Sequence, residues 1–326
     1  PEGAAPMRCL YATLPGRPRA AFLALTFHHS LADGRSAAAL LRQVLAEALS
    51  GKAPVAEPGA AEAEPGFPPL HAGFPALHRP DSPMLEGMGT PHRKRQGVAD
   101  QLERLARLKS RFAPTIPHME SVTLAPQTSD RLLLACRREG TTMQGALGAA
   151  QLLATREILG SAAPGSLLLT HALDMRPYLD PTVPGECLGL YSAMLSASHQ
   201  LGKDDRFWDL AREIGSGLRR QIARGEAYYC YSLARLFYAL QPSAGPATGS
   251  LLTNVGVIAP VPGGDIVRSM SFALAPMPNQ LSVCSTSSYS GRLLANLNFN
   301  GAITSALEAG RMAGAFRNRL ETVALA

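Results

Sequence analysis

His28, His29, Asp33 and Gly34 stand together in the string HHSLADG, a compact set of side chains that could do chemistry. An imidazole titrates near neutral pH, so a histidine here can take a proton from an alcohol or amine and return it to a leaving group. Asp33 can orient an imidazole, support a turn or cap a helix that opens at Arg35. Gly34 permits tight backbone geometry between them. The same residues also read as a satisfied core or turn histidine and a plain N-cap. Metal binding is disfavoured, because adjacent histidines on a strand diverge and no further ligands follow at zinc-like spacing.

The elements around this string give it a position. Arg8 to Leu14 and Ala20 to His29 read as strands separated by the turn formers in PGRP. The second is nearly continuous apolar sequence, as expected for a strand covered on both faces, and the two histidines would then point in opposite directions. From Arg35 to Leu49 apolar residues recur at helical spacing, with Gly51 and Pro54 as the stop. The motif therefore falls where a strand ends and a helix begins, which is where side chains enter a cleft.

Residues 51 to 92 are rich in Pro, Gly, Ala and Glu and read as a long crossover loop, and a helix is expected over Val98 to Ala113. APTIP then marks a boundary, giving an N-terminal part over 1–113 and a C-terminal part over 114–326. Strands are expected in HMESVTLA, SLLLTHALDM, GLYSAMLSAS, LLTNVGVI, NQLSVCSTSSYS and RLLANLNFN. Helices are expected over Asp130 to Arg138, Met143 to Leu159, Asp204 to Arg224, Tyr228 to Ala239 and Thr304 to Leu325. The alternation predicts an α/β fold of layered mixed sheets with flanking helices.

Composition narrows the function. Of 326 residues 46% are hydrophobic and 17% charged, which excludes disorder as the main state. No apolar run approaches the ~18 residues of a membrane helix, so no membrane span is expected. The net charge of +6 suits polyanionic ligands, and the 6% aromatic content does not suit base stacking, so nucleic acid is not an expected partner. Five scattered cysteines without CxxC spacing point to a reduced, cytoplasmic protein. The start PEGAAPM has neither a basic nor an apolar leader segment, so no secretory signal is expected.

HHSLADG resembles the HHxxxDG motif of the condensation-domain and chloramphenicol-acetyltransferase-like acyltransferase superfamily, which also includes the plant BAHD enzymes and wax ester synthases. LDMRPYL with GLYSAML downstream resembles the family segment whose Arg pairs with the motif Asp, which makes Arg176 the partner of Asp33. CRREGTTMQGALGAAQLLA is similar to a segment where a helix starts at a Thr after Gly, here Thr141 or Thr142. LLTNVGVI and RLLANLNFN resemble the polyketide-associated acyltransferases and alcohol O-acetyltransferases, the branch containing phthiocerol/phthiodiolone dimycocerosyl transferase. Members of the family carry a substantial portion ahead of the motif. With the motif at residue 28, the N-terminal part is expected to be incomplete at its start and to expose strand edges.

The resemblance implies two chloramphenicol-acetyltransferase-like subdomains, with donor and acceptor entering an active-site tunnel between them from opposite sides. It implies an acyltransferase using general-base catalysis without a covalent acyl-enzyme. His29 would deprotonate an alcohol that attacks an acyl thioester, of coenzyme A or an acyl carrier protein, in lipid, polyketide or other natural-product biosynthesis. His28, Asp33, Gly34 and Arg176 would be architectural. Asn254 is a candidate oxyanion or substrate contact, or else a buried turn Asn. No permanently bound cofactor is expected, only a coenzyme A or phosphopantetheine thioester as co-substrate. Arg93, Lys94, Arg95, Arg104, Arg107, Lys109 and Arg111 could meet coenzyme A phosphates or an acidic carrier protein, or form a solvated face. SMSFALAPMP could line an acyl tunnel or simply be core strand. Three rivals remain: an amide-forming condensation domain of nonribosomal peptide synthesis, a non-catalytic condensation-like domain that docks carrier proteins, and, from a different class, a metal-dependent hydrolase using His28, His29 and Asp33.

Overall fold

Strong period-two and period-3.6 patterns become the elements of the computed structural model, which describes residues 6–14, 16–51, 116–160, 165–202, 206–229, 249–263, 265–276 and 280–325. By internal contacts the chain forms two units. The smaller takes its described residues from the stretch up to Gly51, from Asp174–Ser192 and from Pro260–Arg268; the larger takes the rest. The sequence-derived boundary between 113 and 114, the expected helix over 98–113 and most of that over 228–239 lie outside the described residues.

In the smaller unit β1 (Met7–Leu14) and β2 (Arg17–Phe27) form a two-stranded antiparallel sheet, with Cys9 opposite Leu25 and Tyr11 opposite Leu23. The expectation that β2 is covered on both faces is not met. Leu23, Leu25 and Phe27 are half-buried on one face, while Phe22 on the other is 59% exposed. A continuous apolar run marks a strand with two apolar faces, and the one bearing Phe22 and Thr26 is largely open here. The strand also stops at Phe27, so the histidines fall in a turn closed by Leu31 N donating to His28 O at 3.0 Å. Helix α1 (Gly34–Leu49) follows, ending before Gly51, which takes a φ of +67°.

The larger unit holds a six-stranded mixed sheet built from β3 (Pro117–Leu124), β4 (Ser166–Asp174), β5 (Ser192–Gln200), β6 (Gly249–Val257), β7 (Gln280–Tyr289) and β8 (Arg292–Asn300). Their order is β3-β8-β7-β6-β4-β5, with β3, β8 and β7 antiparallel and β7, β6 and β4 parallel. Helices α2 (Pro126–Arg138), α3 (Met143–Leu159), α4 (Phe207–Ala223) and α5 (Ala306–Leu325) complete it. Leu132, Leu147, Leu152, Leu169, Leu252, Leu297, Phe299 and Phe316 form its core. Helix α3 is apolar or small almost all round, as a helix buried on every side must be. Thr142 caps it by accepting from Gly145 N, while Thr141 Oγ1 donates to Ala211 O at 2.8 Å. A Cβ on Gly145 would overlap that same carbonyl oxygen, so α3 and α4 approach as closely as only glycine allows.

SMSFALAPMP is not a strand. Its described part, 269–276, runs irregularly, and its backbone is held by side chains of the sheet. Leu274 N donates to Ser285 Oγ, Ser287 Oγ donates to Met270 O, and Asn296 Nδ2 donates to Phe272 O. These contacts account for buried serines and asparagines in β7 and β8, where a sheet core is ordinarily apolar.

His171 on β4 is 2% exposed and accepts a hydrogen bond from Gln144 Nε2. Burial, together with the nearby His199, lowers its pKa to about 4. The folded protein therefore resists a proton that the unfolded chain accepts near pH 6.5. Stability is expected to fall as pH drops from about 6.5 to about 4, by about 3 kcal/mol from this group. His171→Asn, whose Oδ1 can take the place of Nδ1, should flatten that part of a stability-versus-pH curve measured by urea unfolding. An unchanged slope would show that His171 is not the group responsible.

Candidate active site

The motif loop is built around Asp33, which is buried although it carries charge. Its backbone N–H donates to Gly189 O, and its Oδ1 accepts from Ser36 N at 2.9 Å, capping α1. Oδ2 accepts from Tyr191 N at 2.9 Å. Arg176, 2% exposed, closes a two-pronged ion pair, with Nη1 2.9 Å from Oδ2 and Nη2 3.2 Å from Oδ1. Cap and ion-pair partner, weighed as alternatives from the sequence, are both present, because a carboxylate has enough lone pairs for each. Gly34 is simply the first residue of α1 and does not take a positive φ.

Arg176 opens a short 3-10 turn, Arg176–Tyr178, directly after β4. Its Nη1 also donates to Asp174 Oδ1 at 2.9 Å, and Asp174 Oδ2 accepts from Arg35 at 2.8 Å. Its Nη2 reaches Ser36 Oγ at 2.7 Å and Cys187 O at 3.0 Å, and the guanidinium stacks 4.6 Å from the Tyr191 ring centroid. Burial alone would lower its pKa. Hydrogen bonds and charge from Asp33 and then Asp174 reverse this, and the net shift is upward. Burial, with the nearby Cys187, likewise raises the Tyr191 phenol.

Four residues of this cluster went unnamed in the sequence: Ser36, Asp174, Gly189 and Tyr191. They stand next to recognised motif letters, in DGRS, LDMR and GLYS, which is the signal that could have found them. Gly189 is required sterically, because a Cβ there would lie 2.6 Å from Tyr191 Cε2. Gly189→Ala is expected to destabilise the protein by about 1–3 kcal/mol through that overlap. Gly185→Ala, in the same loop with nothing within 4 Å of its Cβ, should be close to neutral. Denaturant unfolding of both variants checks the contrast, and equal effects would refute it.

The loop presents the two histidines in different tautomers. His29 Nδ1 lies 3.0 Å from Ala32 O, which can only accept. Nδ1 therefore carries the proton, and Nε2 holds an open lone pair. His28 Nδ1 faces Ser30 Oγ at 2.7 Å and Ser30 N at 3.4 Å. A backbone N–H only donates, so His28 Nδ1 is the acceptor there and its proton sits on Nε2. Both side chains are exposed to solvent. The acceptor lone pair of His29 therefore lies on Nε2, while that of His28 lies on Nδ1 and is engaged by Ser30.

Asn254 lies in the larger unit near the end of β6. Its Oδ1 accepts from Gly256 N at 2.9 Å, bracing the irregularity where β6 shifts register against β7. It is half-buried within a strand, and so is not the buried turn Asn weighed beside substrate contact. Arg93, Lys94, Arg95, Arg104, Arg107, Lys109 and Arg111 lie outside the described residues. Among the described residues, no three His, Cys, Asp or Glu side chains gather as a metal site, and no helix is long and apolar enough to cross a membrane.

Residues 113–295, more than half of the chain, match the family described as phthiocerol/phthiodiolone dimycocerosyl transferase C-terminus. The chain belongs to that family. No curated protein matches it by sequence. Among solved structures it is similar to polyketide synthase associated protein 5 from Mycobacterium tuberculosis, at 17% identity and a TM-score of 0.62, covering 99% of this chain and 78% of that one. It is also similar to trichothecene 15-O-acetyltransferase from Fusarium sporotrichioides, at 13% identity and a TM-score of 0.69, covering 98% and 70%. A third likeness is to the epimerization domain from the third module of tyrocidine synthetase B, at 15% identity and a TM-score of 0.54, covering 94% and 69%. The fold is thus the α/β fold of the condensation and chloramphenicol-acetyltransferase-like acyltransferases, with two subdomains.

Proposed function

We propose that this protein transfers an acyl group from a thioester, carried by coenzyme A or an acyl carrier protein, to an alcohol. The observation that carries the reading is the tautomer of His29, whose Nδ1–H is held by Ala32 O and whose Nε2 is free to act as a base. The acceptor O–H gives its proton to Nε2 while its oxygen attacks the thioester carbonyl carbon. A tetrahedral oxyanion forms and collapses, the C–S bond breaks, and the proton on Nε2 passes to the departing thiolate. Ester and free thiol are the products, and His29 is regenerated without a covalent acyl-enzyme. The imidazolium formed on the way strengthens the bond from Nδ1–H to Ala32 O.

Asp33 takes no proton in this scheme. Its four hydrogen-bonding directions are spent on Ser36, Tyr191 and Arg176, so its work is to hold the loop that carries His29. An alcohol is preferred as acceptor because an O-acetyltransferase shares the fold and the matched family is named for a transferase of phthiocerol. The seven basic residues between 93 and 111 supply charge suited to a phosphate-bearing donor. Thiol release from acyl-coenzyme A and acyl-carrier thioesters, each with alcohol and amine acceptors, tests the reading. Release that depends on an alcohol is the expected result. Release only with amines would favour amide formation, and carrier-protein binding without any release would favour a docking domain.

A further inference from the structure

Ser36 was assigned no role by its motif, yet it is fully buried, with 0% of its surface exposed. Its hydroxyl accepts from Arg176 Nη2 at 2.7 Å and from Gly189 N at 3.1 Å, and it donates to Gly189 O at 2.9 Å with Cys187 O at 3.2 Å. Three of those partners are backbone atoms of the turn that ends in Tyr191, and the fourth is the arginine that grips Asp33. Gly189 O receives a second hydrogen bond from Asp33 N. The same peptide is therefore held at once by Ser36 and by the residue that follows Ala32. Ala32 O, in turn, fixes the ring of His29.

Resting on the acyl-transfer function proposed above, we infer that Ser36 is a positioning residue: its hydroxyl locks the motif loop to the Cys187–Gly189 turn and thereby keeps His29 in the Nδ1–H tautomer. Removing the hydroxyl leaves Gly189 N without its acceptor and takes from Arg176 Nη2 its 2.7 Å partner, leaving that nitrogen Asp33 Oδ1 and Cys187 O. The loop can then drift relative to the turn, and the bond from His29 Nδ1 to Ala32 O loses its rigid frame. An isolated imidazole has no such constraint, so its proton redistributes toward Nε2, where it blocks the base. Small displacements of a catalytic group lower turnover more than they lower affinity.

The test compares wild type with Ser36→Ala, Ser36→Thr and Ser36→Cys, reading kcat, KM and the 15N shifts of the His29 imidazole. Ser36→Ala is expected to lower kcat about tenfold or more with KM little changed, and to shift His29 toward the Nε2–H form. Ser36→Thr, which keeps the hydroxyl, should restore both. Ser36→Cys keeps the volume with a much weaker hydrogen-bonding group, so it gives the same readout if the alanine variant does not fold. Variants that lose thermal stability while keeping both the His29 tautomer and kcat would overturn the proposal. If wild type transfers no acyl group, the proposed function fails, and the 15N comparison by itself still decides the role of Ser36.

Discussion

His29→Gln is expected to lower acceptor-dependent thiol release by about 100-fold or more, the usual loss when a positioned general base is removed. Glutamine keeps polarity and similar bulk, with an amide in the region of Nε2. What it lacks is a nitrogen basic enough to take the proton of an alcohol. His28→Gln is the matched control. Its Nδ1 is committed to Ser30, so the loss should be several-fold at most and should come through the turn rather than the chemistry. Initial rates at saturating donor and acceptor separate the two cases. Equal losses from the two variants would remove the basis for choosing His29.

Arg176→Met is expected to be the most damaging single change to the fold of the smaller unit, at about 3–5 kcal/mol, the cost of breaking a buried ion pair from one side. The guanidinium is 2% exposed and serves Asp33, Asp174, Ser36 and Cys187 together. Without it, the Asp33 carboxylate stays buried with only the N–H groups of Ser36 and Tyr191 to balance its charge. Pairing Arg176→Met with Asp33→Asn removes both charges while an amide oxygen still caps α1, so the double variant should recover part of the loss. Hydrogen exchange at the Ser36 and Tyr191 amides reads this locally. Protection that falls with Arg176→Met and partly returns in the double variant is the expected pattern, and strictly additive losses would show that the two groups are not coupled.

The resemblance of HHSLADG and LDMRPYL to family segments paired Asp33 with Arg176, and the two side chains do meet across 143 positions. Hydrophobic patterning placed most strands and helices: α1 repeats its apolar residues at helical spacing, and α3 is a long run of apolar and small residues opened by a Thr cap. Other features depend on facts a single sequence does not contain. Ser36 and Gly189 are 153 positions apart, and although each stands beside a motif segment, neither segment says that these two residues meet. The apolar run of β2 looks the same whether one or both faces are covered. Residues 269–276 carry Met, Phe and Leu at strand-like spacing, yet their backbone bonds go to side chains of Ser285, Ser287 and Asn296 rather than to a neighbouring strand. The tautomers of His28 and His29 follow from which carbonyl or amide each Nδ1 faces, a matter of distances of about 3 Å that only coordinates supply.

Direct transfer with His29 Nε2 as the base can be read in rapid-mix thiol release from an acyl thioester, with and without alcohol. Release that needs the alcohol, shows no burst of thiol in its absence and collapses in His29→Gln is the predicted result. A burst of one thiol per protein without acceptor, or a rate unaffected by the loss of His29, would contradict it.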